Sequence, residues 1–285
     1  MVGGAGYIGS HTAKALNEAG MEPVVVDDLS TGHDWAVKWG PLEHCDIRDG
    51  AALDAVFESH VPDAVLHFAG KINVGESVTA PEIYYDTNVS GTLSLLDAMH
   101  RHDCRTLVFS SSCAVYGTPE RMPLDEAHPY GPINPYGSSK LIAETMMADF
   151  AQAYGLTYVA LRYFNAAGAE WEAGIGEDHQ PETHLIPLVL DAAMGRRETI
   201  SIFGDDYPTP DGTCVRDYIH VADLADAHIR ALEYLQGGGA SDAFNLGNGA
   251  GFSVREVIDA AAQVTGAKIP IAIGARRDGD PAELI

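Results

Sequence analysis

Tyr136 and Lys140 stand four residues apart, a spacing that puts one above the other on a helix face. A lysine cation beside a phenol favours the phenolate and lowers the tyrosine pKa from its reference near ~10. A phenol tuned in this way can act as a base near neutral pH, which general acid–base chemistry requires. Pro135, directly before the pair, suits a first helical turn, where its missing N–H costs nothing. Taken alone, the spacing also describes a packed ring next to a solvated lysine. Two further stretches give it weight: the turn Gly3-x-x-Gly6-x-x-Gly9 and the run Ser110-Ser111-Ser112.

The glycines point to a dinucleotide. Gly3 suits a tight turn, Gly6 allows backbone to approach a pyrophosphate, and Gly9 allows the following helix to pack on a sheet. That helix is expected over about Ser10 to Ala19, stopped by Gly20. A strand, Pro23 to Val26, then ends in Asp27-Asp28. Asp27 falls about twenty residues beyond the glycines, where a carboxylate meets ribose hydroxyls and repels a 2′-phosphate, so NAD is expected over NADP.

Strands and helices continue to alternate. Strands are expected at Leu42–Cys45, Ala64–Phe68, Thr106–Phe109 and Thr157–Arg162. Helices are expected at Ala51–Ser59, at Pro81 to about Arg101 carrying Asn88, and from the Tyr136–Lys140 turn to about Tyr154. This order predicts an α/β fold with a doubly wound parallel sheet. Ligands then bind beyond the carboxyl ends of the strands, where Asp27, Asp46, Ala69-Gly70, the three serines and Asn165 all fall.

After Asn165 the texture changes to a Gly-, Glu- and Asp-rich stretch, followed by further helices (Leu185–Arg196, one ending near Gln236, Val254–Val264) and strands (Thr199–Phe203, Ala243–Leu246, Ile269–Ile273). The expected division is a dinucleotide domain over 1–165 plus about 217–240, and a smaller α/β substrate domain over 166–216 and 241–285. Only Met1 and Val2 precede Gly3, so the first strand is expected to be clipped and the sheet to lack a central member. The C-terminus is likewise expected to be truncated, because Arg276-Arg277-Asp278-Gly279-Asp280 opens a motif with little chain after it.

The chain of 285 residues carries a net charge of −24. That balance argues against nucleic acid, which needs a basic face. An anionic substrate must then be met by local arginines or helix N-termini. No apolar run is long enough for a bilayer and no signal peptide is evident, so no membrane is expected and the cytoplasm is the expected compartment. Cys45, Cys104, Cys113 and Cys214 are scattered and read as reduced thiols. The 12 histidines show no ligand spacing, so no metal is expected.

Together the glycine turn, the serines and Tyr136-x-x-x-Lys140 resemble the extended short-chain dehydrogenase/reductase superfamily and, within it, the UDP-glucose 4-epimerase family. The matching strings run in that family's order: Gly3–His11, His67–Gly70, Val74–Val78, Tyr84–Asp86, Tyr116-Gly117, Arg162–Asn165 and Arg216–Val221. The resemblance implies a Rossmann-type fold, tightly held NAD and a UDP-hexose substrate. It implies catalysis by Tyr136, Lys140 and Ser112: Tyr136 takes the carbon 4 hydroxyl proton, Lys140 holds the phenolate and the nicotinamide ribose, and Ser112 donates to or relays the proton.

For the cofactor the resemblance implies Gly3, Gly6, Tyr7, Ile8 and Gly9 at the turn, then Asp27, Asp46 and Ile47. It adds Phe68, Ala69, Gly70, Asn88, Ser110, Tyr136, Lys140 and Phe164. For the substrate it implies Ser112, Tyr136, Asn165, His184, Leu185, Arg216 and Arg277, with the two guanidiniums suited to diphosphate and ribose oxygens. Leu284 would bound the sugar pocket. Other members of the superfamily, such as a 4,6-dehydratase, a uronate epimerase or a decarboxylase, are the nearest alternatives; Cys113-Ala114 after Ser112 lacks the carboxylates a dehydratase uses. An inactive NAD-binding fragment is the alternative of another class. A homodimer is implied through the helices at 81–101 and 140–154, although Leu95, Leu96, Met99, Met146, Met147 and Phe150 suit the chain's own core equally well.

Overall fold

The computed structural model describes residues 1–277 and 280–285. Asp278 and Gly279, within the stretch read as opening a motif, lie outside the described residues. Helix α1 (Tyr7–Glu18) begins earlier than the expected Ser10, because Gly6 is already its extended N-cap. Strands β1 (Val25–Asp27) and β2 (Leu42–His44), helix α2 (Gly50–His60) and strand β3 (Val65–His67) follow. Then come α3 (Val74–Thr79), α4 (Pro81–Tyr84), a π-helical turn over Tyr85–Ser90, and α5 (Gly91–Arg101). Strand β4 (Thr106–Ser112) leads to α6 (Pro135–Tyr154), β5 (Thr157–Tyr163), β6 (Asn165–Ala167), α7 (Leu185–Ala193) and β7 (Ile200–Phe203). The chain ends with β8 (Val215–Arg216), β9 (Tyr218–His220), α8 (Val221–Gln236), β10 (Asp242–Leu246), β11 (Phe252–Ser253), α9 (Val254–Thr265), β12 (Ile271–Gly274) and β13 (Glu283–Leu284).

The main sheet is parallel. Val25 lies opposite Leu42, Val65 opposite Leu107, Thr106 opposite Thr157, and Asp242 opposite Val159. Between β1 and β3 the place belongs to Met1–Gly3. The Val2 N–H donates to the Leu66 carbonyl at 2.9 Å, the Gly3 N–H to Val26 at 2.8 Å, and the Phe68 N–H to Val2 at 2.7 Å. The expected gap at the sheet's centre is therefore absent, because these residues still carry ladder hydrogen bonds on both sides. The order is β2, β1, Met1–Gly3, β3, β4, β5, β10, and the direction of winding reverses beside Gly3, where α/β sheets bind ligands.

Both faces of the sheet are covered, and the strands alternate accordingly. Leu107, Phe109 and Ala160 pack with Leu53 and Phe57 of α2, Leu95, Leu96 and Met99 of α5, and Ala143 and Met147 of α6. Val108, Val159 and Leu161 face the other way, onto Leu16 of α1 and Leu232 and Leu235 of α8. Leu95, Leu96, Met99 and Met147 are thus buried in the chain's own core, with Met146 and Phe150 packed against it.

Two expectations are corrected. The helix from Pro81 to Arg101 is interrupted by the π-helical turn, which carries Asn88. The widened turn is held by that side chain's bonds to Lys71 and Ser139. Strand β10, expected in the second domain, is instead the edge of the main sheet beside β5. Ala243 and Leu246 bury there against the same two clusters that hold the other strands.

The remaining elements build a smaller layer. Strands β7 and β12 pair in parallel, and Val189, Ala192, Ile200, Ile202, Ile258 and Ile269 form a separate cluster with α7 and α9. Strand β8 lies between antiparallel β11 and parallel β13, and β6 pairs with β9.

Candidate active site

The carboxyl ends of the main strands open into a cleft of about 490 Å³. On one wall lies the glycine turn. Gly3 takes φ +78°, and a Cβ there would stand 2.4 Å from the Ala69 nitrogen, so the turn fits against the end of β3 only without a side chain. A Cβ on Gly9 would meet the Gly3 carbonyl at 2.3 Å; its close approach is to the turn itself rather than to a strand. At Gly6 the nearest heavy atom to such a Cβ is the Gly3 oxygen at 3.5 Å, which leaves open space on the cleft side. Gly6 caps α1 with no side chain, so the helix's first N–H groups remain for an anion.

Asp27 ends β1 on the same wall. Its carboxylate accepts from the Ala5 N–H at 3.0 Å and the Leu29 N–H at 2.9 Å, while burial pushes its carboxyl above the usual range. Asp46 and Ile47 line the cleft too. The Asp46 carboxylate, however, is held by Arg48 at 2.6 Å, which keeps it below the usual range. Phe68, Ala69 and Gly70 line the cleft as well, as do Tyr7 and Ile8 at the start of α1. A turn open at Gly6, a free helix N-terminus and an acid at the end of β1 together fit NAD.

Asn88 is buried beneath this wall. Its amide oxygen accepts from the Lys71 N–H at 2.7 Å, and its amide nitrogen donates to the Lys71 carbonyl and the Ser139 hydroxyl, each at 3.0 Å. The loop after β3 is thereby tied to α6. Helix α6 starts at Pro135, with the Asn134 side chain accepting from the Gly137 N–H at 2.8 Å. One turn in, Lys140 is 4% exposed and donates to the Ser110 carbonyl at 2.9 Å.

The three serines diverge. Ser110 hydrogen-bonds the Tyr163 hydroxyl. Ser111 donates to Glu144 Oε1 at 2.5 Å. Ser112 accepts from the Ala114 N–H at 3.2 Å and also partners the Tyr136 phenol. Burial pushes the Tyr136 phenol up to about 12, with the Ser112 hydrogen bond acting the other way. Burial also brings Lys140 down to about 8, against the pull of Glu144. This corrects the expectation of a lysine-lowered phenol. The Lys140 ammonium bonds to a carbonyl, and desolvation is the largest cause of the shift in both groups.

Of the residues expected at the substrate, Asn165 and His184 line the cleft, as does Phe164. Leu185 opens α7 next to His184 and packs toward the second layer's core. Arg216 and Arg277 are not brought to the cleft. Arg216 pairs with Asp280, and Arg277 stacks 3.9 Å from the centre of the Phe203 ring. Leu284 pairs in β13 with Arg216 and packs on the cluster of Cys113, Val115 and Tyr116.

Sequence reasoning did not single out Tyr163, Glu177 and His179, all on the cleft wall. Tyr163 was legible as the residue that ends β5. Glu177 and His179 sit in the stretch without period, where the fold brings them to Glu182 and His184. The nearby carboxylates of Glu177 and Glu182, at 3.3 and 3.8 Å, lift His179 to about 9. Burial alone would lower His184, but the same two carboxylates lift it to about 9 as well.

The NAD dependent epimerase/dehydratase family matches residues 1–247. A UDP-glucose 4-epimerase of Rhizobium leguminosarum bv. trifolii is 55% identical over 285 residues, which is 100% of this chain and 87% of the relative. A crystal structure of UDP-glucose 4-epimerase from Brucella ovis in complex with NAD superposes with a TM-score of 0.97 at 55% identity, over 99% of this chain and 87% of that one. A UDP-glucose 4-epimerase from Bifidobacterium longum in complex with NAD+ and UDP superposes with a TM-score of 0.92 at 41% identity, over 99% of this chain and 88% of that one.

Proposed function

The chain belongs to the NAD dependent epimerase/dehydratase family, and on that footing we propose that it interconverts UDP-glucose and UDP-galactose by transient oxidation at carbon 4 of the hexose. Inverting an unactivated secondary alcohol requires its C–H bond to be broken and remade on the other face. When bound, NAD supplies the hydride acceptor that also returns the hydride, and it ends unchanged.

The chain's own groups do the rest. Tyr136 Oη takes the proton of the carbon 4 hydroxyl as the phenolate, a form that the positive charge of bound NAD would favour over the raised value of the unliganded phenol, and Ser112 Oγ steadies or relays the proton. Lys140 Nζ, fixed on the Ser110 carbonyl, holds the nicotinamide ribose and places positive charge near the phenol. The planar 4-keto sugar then turns about its diphosphate link and is reduced on the opposite face. Asn165, His184 and Leu185 hold the nucleotide sugar; Arg216 and Arg277 reach it only by leaving Asp280 and Phe203.

The observation that carries this reading is that α6 brings Tyr136 to Ser112 and Lys140 to the Ser110 carbonyl at the end of β4, with Lys140 lining the same cleft as the glycine turn and Asp27. The test is turnover of UDP-galactose with no NAD added, read by NMR and mass. Tyr136→Phe should keep its bound dinucleotide and lose at least ~100-fold in kcat. Parental turnover by that variant would end the proposal. Loss of water or carbon dioxide from the sugar would move the assignment to a dehydratase or a decarboxylase.

Two assignments accompany this one. The unpaired, buried Cys45, Cys104, Cys113 and Cys214 support a cytoplasmic setting. Leu93 on α5 and Ile142 on α6, both exposed, support a homodimer through those helices. Sedimentation at the mass of one chain would remove the dimer.

A further inference from the structure

Between β6 and α7 the backbone is irregular, and it brings four ligand-type side chains together. Donor atoms of Glu177, His179, Glu182 and His184 all lie within 4.8 Å of one another. Their spacing in the chain matches no regular helix or strand, so periodicity does not reveal it. His184 Nδ1 stands 2.7 Å from Glu177 Oε1 and 3.2 Å from Glu182 Oε1. His179 Nδ1 stands 3.3 Å from Glu177 Oε1 and 3.8 Å from Glu182 Oε2.

These contacts could be two ordinary ion pairs. One observation speaks against that reading. His179 Nδ1 is buried and makes no hydrogen bond, although two carboxylates are within reach. A buried imidazole nitrogen without a partner is costly. Its position among three other donor atoms is what a shared cation would satisfy. Zinc binds imidazole nitrogen and carboxylate oxygen at about 2.0–2.2 Å in tetrahedral geometry. Donors of such a site stand roughly 3.4 Å apart, close to the distances here. Two carboxylates also balance a dication.

We propose that Glu177, His179, Glu182 and His184 form a binding site for a divalent transition-metal cation of the zinc class. The donor set, two imidazoles and two carboxylates, favours Zn²⁺ over Mg²⁺, which keeps water and demands octahedral oxygen. The cation pins residues 177–184 to the start of α7, where the Glu182 carboxylate already accepts from the Thr183 and His184 N–H groups at 2.6 and 2.8 Å. Its role is to fix this rim of the cleft, and it does not depend on which nucleotide sugar the enzyme turns over.

The test uses the full chain without an affinity tag, stripped by chelator and dialysed, and titrated calorimetrically with Zn²⁺ and separately with Mg²⁺. The expected result is one Zn²⁺ per chain, no comparable Mg²⁺ binding, and a rise in thermal midpoint with Zn²⁺. Glu182→Gln keeps volume and shape, and should bind Zn²⁺ at least tenfold more weakly and lose the thermal shift. His179→Ala, with its fold checked by circular dichroism, should do the same. No binding by the parent chain, or several weak sites that neither variant alters, would overturn the proposal.

Discussion

Asn88 uses its amide to join two separate segments beneath the cleft. It meets both backbone groups of Lys71 and the hydroxyl of Ser139 while only 3% exposed. Removing the amide leaves the Lys71 N–H and carbonyl without partners and the Ser139 hydroxyl with only its bond to the Tyr136 carbonyl, each lost bond worth about 1 kcal/mol or more. Asn88→Ala should therefore lose about 2–3 kcal/mol in urea unfolding, with the m-value unchanged, and should release bound dinucleotide more readily. A variant within ~0.5 kcal/mol of the parent would show that the loop after β3 is held by something else. Tyr136 presents the reverse case. Its chemistry was legible from its neighbours in sequence, but its protonation was not, because desolvation is a property of the surrounding fold.

At the level of elements, α6 is tied to β4 and β5 at two heights. Lys140 reaches the Ser110 carbonyl. One turn on, Glu144 takes the Ser111 hydroxyl and both arms of Arg162, at 2.9 and 2.5 Å. Arg162 also donates to the Tyr116 and Tyr130 hydroxyls at 2.8 Å and is 2% exposed. This buried pair ties α6, which carries Tyr136, to β5, and the same Glu144 reaches β4, which carries Ser112, through Ser111. Glu144→Gln leaves a buried guanidinium without its counter-charge and should cost roughly 3–5 kcal/mol. Adding Arg162→Met should restore much of that loss, since replacing both members of such a pair is often near neutral. Chemical denaturation of the two variants decides it: equal stability in the single variant and the parent would remove the pair from this role.

Across the whole molecule, buried neutral histidines set the response to acid. His67 is fully enclosed, with Nε2 on the Thr92 hydroxyl at 2.9 Å, and burial takes it down to about 3. His228, with Nδ1 on the Leu224 carbonyl at 2.7 Å, is brought by burial to about 4. Both are lowered relative to an unfolded value near ~6.5, so the unfolded chain binds more protons below that pH. Their stabilising contribution is complete above about pH 6.5 and falls away as pH drops toward 4 and 3. At pH 5 each should cost ~2 kcal/mol relative to pH 7.5, against an opposing gain from His179 and His184, which hold their protons more tightly in the folded chain. His228→Phe should therefore gain on the parent in urea unfolding as pH falls from 7.5 to 5, and parallel pH profiles of the two proteins would exclude the effect.

The strand–helix alternation, the glycine turn with Asp27 about twenty residues on, and Tyr136 with Lys140 were legible because each depends on local spacing. Backbone sterics and helical periodicity act over a few residues, and a sequence displays them directly. Placement across the sheet was decided elsewhere. Whether Met1–Gly3 could still join β1 to β3 depended on ladder partners more than twenty residues away, such as Val26 and Leu66. Whether β10 belonged to the main sheet depended on its pairing with β5. That Arg216 turns to Asp280, and that Glu177, His179, Glu182 and His184 converge, likewise follow from packing. Desolvation and long-range pairing are sums over neighbours brought together by folding, so only the tertiary structure could decide them.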